Sequence, residues 1–399
     1  MSDRIVITGA GIISAIGNNQ QQCMKSLKAG SSGIGEVRYL TTEHKEFPVG
    51  EVKMSNRELC ESLGINTHEL HSRTSLLGMI AVQEAMAQAR LDGGSEPMTL
   101  ISGTTVGGMD VSEKLFSQGM TQEQCFDCVT THTCGSSTND IAAHFGNTFN
   151  STITPSTACS SALNAITLGY DLIKAGLAQV VVAGGSECLT LFHLNGFKSL
   201  MILDTEPCKP FDMNRKGLNL GEGAAYVVLE SEAHARRRSA HAIAHISGYG
   251  NACDAFHQTA SSPNGEGAFL AMSKALKEAH LKPQDIDYIN AHGTGTPNND
   301  QSESAAILRL FGYDVPPVSS TKTFTGHTTS ASGSIETVIS LLAIQGQFLP
   351  PNLNWSVAME DGGILPIKEP TGAIIKNVMC NSFGFGGNDS SLILSKVSE

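Results

Sequence analysis

A chain of 399 residues, 40% hydrophobic and 16% charged, is long enough for one large domain or two ordinary ones around a sizeable core. Its 38 acidic and 26 basic residues leave a formal net charge of −12, which counts against a nucleic-acid binder but not against a small basic patch for an acidic protein partner. No stretch approaches the ~18 consecutive apolar residues of a membrane span, no basic-plus-apolar leader opens the chain, and the ten scattered cysteines read as reduced and mostly buried, so a soluble, cytosolic protein outside the membrane is predicted.

In chain order, Arg4 to Gly11 reads as a β-branched strand entering a glycine turn. Gly9-Ala-Gly11 lacks the third glycine of a dinucleotide fingerprint, Ser14 standing in its place, so a buried strand and tight turn is the better reading. Apolar residues at helical spacing predict a helix over 74–90. Strands follow at 98–102, 180–183 and 224–229, with a small-residue helix between them at 160–175. The second part repeats this grammar, with strands at 242–247, 286–291, 317–320, 373–379 and 391–394 and helices at 267–280, 303–311 and 333–346. Alternating strands and helices predict an α/β fold with sheets covered on both faces. No linker separates freestanding domains, and the spacing divides the chain into two related halves, 1–245 and 246–399.

Four segments carry chemistry. Cys159, in Thr157-Ala-Cys-Ser-Ser161, sits where a strand gives way to a helix. A helix N-terminus favours thiolate and offers N–H groups to an oxyanion, although a small buried core cysteine fits the same composition. His292 ends an apolar strand in Ala291-His-Gly-Thr-Gly-Thr296, where α/β sites collect, and Thr294 and Thr296 add hydroxyls for a long substrate arm. His327 follows Lys322 in a small-residue loop, where the lysine can orient a side chain or hold a histidine neutral. Asn381 to Asp389 places Phe383 and Phe385 among three glycines, the composition of a gate or a backbone-donor loop. Cys125, Cys128, His132 and Cys134 have some metal-ligand spacing, but a second C-x-x-C pair is missing and no metal site is expected. Arg236-Arg-Arg238 reads as a solvated helix end.

Together, Thr157-Ala-Cys159-Ser-Ser, Ala291-His292-Gly-Thr-Gly-Thr296-Pro, Lys322 five residues before His327, and Asn381-Ser-Phe-Gly-Phe-Gly-Gly387 resemble, in order and spacing, the β-ketoacyl-acyl-carrier-protein synthases, and specifically an elongating condensing enzyme. The resemblance covers nearly the whole chain. It implies a thiolase-like fold, with two similar halves in α-β-α-β-α layers, usually as a homodimer and in some pathways as a heterodimer with a homologous partner. It implies decarboxylative Claisen condensation of a Cys159-bound acyl group with malonyl-carrier protein in fatty acid elongation. It assigns His292 and His327 to the enolate oxygen, Lys322 to their network, Phe385 N–H to an oxyanion hole, Phe383 and Phe385 to gating, Thr294, Thr296 and Thr259 to the substrate arm, and Val106 to the acyl pocket. No permanently bound cofactor is implied, since phosphopantetheine arrives on the acyl carrier protein. Three departures leave the pathway open between fatty acid synthesis and a polyketide, aryl polyene or specialised-lipid ketosynthase: Ser160-Ser161 after the cysteine, a hydroxyl-rich run at 328–332, and Asn388-Asp389 where Thr-Asn is commoner. Lys198, Lys209, Arg215 and Lys216 are candidates for carrier docking. Retention of Cys159, His292 and His327 opposes a non-catalytic partner subunit, and the Asn381–Gly387 loop opposes a thiolase.

Overall fold

The computed structural model describes residues 4–91, 97–121, 123, 125, 130–360 and 363–397. Five strands build the first half: β1 (Ile5–Ser14), β2 (Met98–Gly103), β3 (Phe149–Ile153), β4 (Val180–Glu187) and β5 (Gly223–Ser231). They lie in the order β3-β2-β4-β5-β1, with β2 parallel to both neighbours and β5 antiparallel to both of its own. The second half supplies β6 (Ala244–Cys253), β7 (Tyr288–Asn290), β8 (Val318–Ser319), a two-residue pair β9 (Phe348–Leu349) and β10 (Thr371–Gly372) set apart, β11 (Asn377–Gly384) and β12 (Asn388–Lys396). Their order, β8-β7-β11-β12-β6, and their parallel and antiparallel pattern repeat the first half strand for strand. The internal duplication absent from residue identities is therefore plain in the topology.

Short contact between β1 and β6 joins the two sheets edge to edge. The central layer between them consists of α3 (Ser161–Lys174) and α7 (Ser332–Gly346). Before these come α1 (Arg73–Ala89) and α2 (Cys134–His144) in the first half and α5 (Glu266–Ala279) and α6 (Pro297–Phe311) in the second, with α4 (Leu191–Ser199) leaving β4. The outer faces are covered by α1 on one sheet and α5 on the other, which completes the α-β-α-β-α layering. Strand β4 shows why its sequence is an unbroken apolar run: Val181 and Ala183 face the central core and Val180 and Val182 the outer one. The central helices are buried on opposite sides, Leu163, Ile166, Ile335 and Val338 packing with residues of both sheets. Among the described residues, no helix is long and apolar enough to cross a membrane.

Two predicted boundaries differ instructively. The glycines of Gly9-Ala-Gly11 do not end β1, which runs on to Ser14. They lie in the strand because the backbone of α1 passes directly over it, so that Cβ atoms here would strike the carbonyls of Ala85 and Ala81. Helix α6 starts at Pro297 rather than 303, because proline is suited to the first helical position and Thr296 precedes it.

Candidate active site

Cys159 and His327 occupy matching places in the two halves. Each lies in the loop that enters the central helix of its half, α3 and α7 respectively, and those helices pack against each other. The turn before Cys159 holds Ala158 at φ 53°, a left-handed conformation costing about 1–3 kcal/mol for a side-chain-bearing residue. The neighbouring hydroxyls hold it there: Ser160 Oγ donates to Thr157 O at 2.8 Å, Ser161 Oγ to Ala158 O at 2.6 Å, and Thr157 N to Ser161 Oγ at 2.8 Å. Ser382 Oγ on β11 donates to Cys159 O at 2.9 Å, tying the turn to the second half.

The nucleophile candidate and two imidazoles meet at one point. Cys159 Sγ and one ring nitrogen from each of His292 and His327 lie within 4.8 Å of one another, and all three residues are buried. His327 Nε2 is 3.2 Å from Cys159 Sγ, and its Nδ1 is 2.9 Å from Ser332 Oγ. The His292 and His327 rings meet edge to face at 5.2 Å. Lys322 Nζ donates to His292 Nδ1 at 3.2 Å and pairs with Glu336 in a buried ion pair. Glu303 on α6 accepts the N–H groups of His292 and Gly293 at 2.9 and 2.7 Å, fixing the loop after β7.

Burial dominates the protonation of these groups. It drives His292 and His327 well below the usual imidazole range, and the Lys322 ammonium adds to the shift, so both rings are neutral near pH 7. Glu336 and Glu303 are pushed up to about 7, burial again outweighing the groups that hold them. The thiolate expected at the helix N-terminus is reversed: burial lifts the Cys159 thiol to about 11, against the opposing pull of Lys322 and the Phe385 N–H. The resting pair is thus a thiol facing a neutral imidazole. The nearby ammonium disfavours a divalent cation among the same three side chains.

A cavity of about 330 Å³ opens over the cysteine and is lined by Cys159, His292, His327, Phe383, Phe385, Thr294, Thr296 and Thr259, among others. Thr294 and Thr296 Oγ1 are 2.9 Å apart and buried, while Thr259 is exposed at the mouth. Val106 is the exception. It is not among the residues lining this cavity and is buried in the outer core of the first half. Sequence reasoning missed Phe197 on α4, which stacks on Phe385 at 5.8 Å and meets His327 edge-on at 6.5 Å. It also missed Glu336 and Glu303, whose signal was a carboxylate inside an otherwise apolar helix face.

Other charged and ligand-type residues are placed as follows. Arg73 is buried in an ion pair with Glu222 at 2.6 Å. Arg238 turns inward to Glu230 and Ala89 O instead of ending a solvated helix. Cys128 lies outside the described residues, and His132 Nδ1 is 2.9 Å from Ser112 Oγ.

Comparison with known proteins agrees with this geometry. Residues 2–235 match the family description "Beta-ketoacyl synthase, N-terminal domain" and residues 243–356 "Beta-ketoacyl synthase, C-terminal domain". The chain is 33% identical to 3-oxoacyl-acyl-carrier-protein synthase 2 of Staphylococcus aureus (strain COL), covering 98% of each chain. It is 35% identical to nodulation protein E of Rhizobium meliloti (strain 1021) over the full length of both. Among solved structures, the ishigamide ketosynthase/chain length factor superposes with a TM-score of 0.90 at 29% identity over all of both chains. A ketosynthase in complex with its chain length factor from Xenorhabdus doucetiae gives 0.86 at 29% identity, over 99% and 98%. A fold of two duplicated halves, with a cysteine and two histidines at their junction, defines a thiolase-like condensing enzyme. The chain belongs to the β-ketoacyl synthase family.

Proposed function

We propose that the protein is a 3-oxoacyl-acyl-carrier-protein synthase in which Cys159 carries the growing acyl group. The observation that carries this reading is the 3.2 Å approach of a neutral His327 Nε2 to the Cys159 thiol inside a cavity shared with His292. In the first half-reaction, Cys159 Sγ attacks the acyl thioester brought on the carrier's phosphopantetheine. The S–H proton passes to His327 Nε2 and then to the departing pantetheine sulfur. The tetrahedral oxyanion takes the N–H of Phe385, which faces Cys159, together with the N–H of Cys159 at the head of α3.

In the second half-reaction the malonyl C–C bond breaks, CO₂ leaves, and the electron pair becomes an enolate. Lys322 donates to His292 Nδ1, which leaves the His292 proton on Nε2 as a donor to the enolate oxygen. Ser332 Oγ, at 2.9 Å, can accept from or donate to His327 Nδ1. His327 can therefore present a lone pair in the first half and an N–H in the second. The enolate carbon attacks the Cys159 thioester, the C–S bond breaks, and the thiolate recovers a proton. Thr294, Thr296 and Thr259 line the path for the pantetheine arm. Lys198 and Lys216, both exposed, with the partly buried Lys209, offer positive charge to an acidic carrier, whereas Arg215 is largely buried beside Asp300.

Incubation with acyl- and malonyl-carrier protein tests this reading. A 3-oxoacyl-carrier product two carbons longer is expected, and its absence with every acyl group tried would refute it. The likeness to two ketosynthases described with chain length factors favours a second reading, a polyketide or polyene ketosynthase acting with a homologous partner. Unsaturated acyl groups, tried with and without such a partner, separate the two.

A further inference from the structure

Asp389 is the second residue of β12, just after the turn that joins β11 to β12, and it is buried. Among the described residues no hydrogen-bond donor reaches its carboxyl, and Asp254 lies beside it. Asp389 Oδ2 fills the place that a Cβ on Gly267 would take, and Asp254 Cβ lies 2.8 Å from the same place, so the two aspartates face each other across the first turn of α5. Asp254 is already engaged: it accepts Ser262 N at 2.7 Å and Ser262 Oγ at 2.8 Å. Glu303 on α6 is the second acidic group acting on Asp389. Glu266, at the head of α5, is occupied by Arg309 at 3.0 Å. Burial and these two carboxylates raise Asp389 to about 7.

The same aspartates bracket the loop. Asp254 N donates to Gly387 O at 2.9 Å, and Gly386 N to Gln258 O at 2.8 Å. A protonated Asp389 has an O–H to give Asp254, whereas an ionised one adds an unpaired charge beside it in a desolvated site. We propose that Asp389 is a positioning residue whose proton keeps the Phe383–Gly387 loop closed with the Phe385 N–H facing Cys159, so that ionisation of this one carboxyl releases the loop. The effect on turnover rests on the oxyanion role proposed for Phe385, while the effect on the loop does not.

Amide hydrogen exchange over residues 383–389 tests it, comparing the full-length protein with Asp389→Asn at the same pH so that intrinsic exchange rates cancel. The ratio of wild-type to variant exchange is expected to rise by more than about tenfold between pH 5 and pH 7 and to level off above it, because over that window the released carboxyl is ionised while the closed one still holds its proton. Asp254→Asn, which leaves one aspartate, reduces the same difference. Condensation falls with rising pH over the same window in the wild type and stays level in Asp389→Asn. An identical exchange ratio at both pH values overturns the proposal. So does a fall in activity that survives in Asp389→Asn, which would then belong to Glu303. The exchange difference without any condensation supports the loop assignment and refutes the proposed function instead.

Discussion

Cys159 is held as a thiol by burial, and its activation falls to a neutral neighbour, since Lys322 is spent on Glu336 and His292. Acylation of Cys159 should therefore not accelerate between pH 6 and 8, where a free thiol would gain about tenfold per unit as its thiolate fraction grows. Stopped-time mass spectrometry of the acyl adduct across that range checks this. The depressed histidines also set the sign of acid stability. The unfolded chain takes protons on these rings below about 6.5 and the native chain does not, so their contribution is complete above that value and is lost as pH falls below it. Lys322→Ala removes the donor that orders His292, while Glu336, already lifted to about 7, stays neutral in its place and the fold survives. We expect about a hundredfold loss of CO₂ release from malonyl-carrier protein, with Cys159 acylation changed by less than about tenfold. Separate assays of the two half-reactions distinguish this from a general loss. The residues bearing on this chemistry were legible in sequence where a motif marked them, as for Cys159, His292, Lys322 and His327. Phe197 was not legible, because an aromatic on an amphipathic helix looks the same whether it packs on a core or on Phe385.

The two central helices decide whether the site assembles, because α3 carries Cys159 at its head and α7 follows His327. They approach closely at Gly333, where a Cβ would stand 2.7 Å from Leu163 Cβ and 2.9 Å from Leu163 N. Gly333→Ala should force the helices apart and destabilise the protein by about 1–3 kcal/mol, read as a lowered urea midpoint at unchanged slope. Condensation should fall as well, since the same displacement lengthens the Cys159–His327 contact. Central helices with clean periodicity, such as 160–175 and 333–346, were legible to within a residue or two. Strand β3 was legible only at its end, before Cys159, because Phe149-Asn-Ser-Thr-Ile153 is an edge strand, mostly exposed, with no apolar alternation to give its extent. Strand β11 was predicted at 373–379 and lies at Asn377–Gly384: its last residues, Asn381-Ser-Phe-Gly, read as a loop, and only pairing with β12 makes them a strand.

At the scale of the whole molecule, two five-stranded halves of identical topology place matching loops face to face, and the site exists only at their junction. The alternation of strands and helices was enough to read the fold class. The duplication required the strand order, since both the side chains and the burial of equivalent strands have diverged. The charge balance could not locate the basic residues: Arg73 is internal, paired with Glu222. Every part of this architecture converges on the claim that Cys159 is the acyl carrier of the reaction. Intact-mass measurement after mixing with a panel of acyl-carrier proteins tests it most directly, beside Cys159→Ala. An adduct of the acyl mass in the wild type and none in the variant is the predicted result. An adduct that persists in Cys159→Ala, or none from any acyl group in either protein, would contradict it.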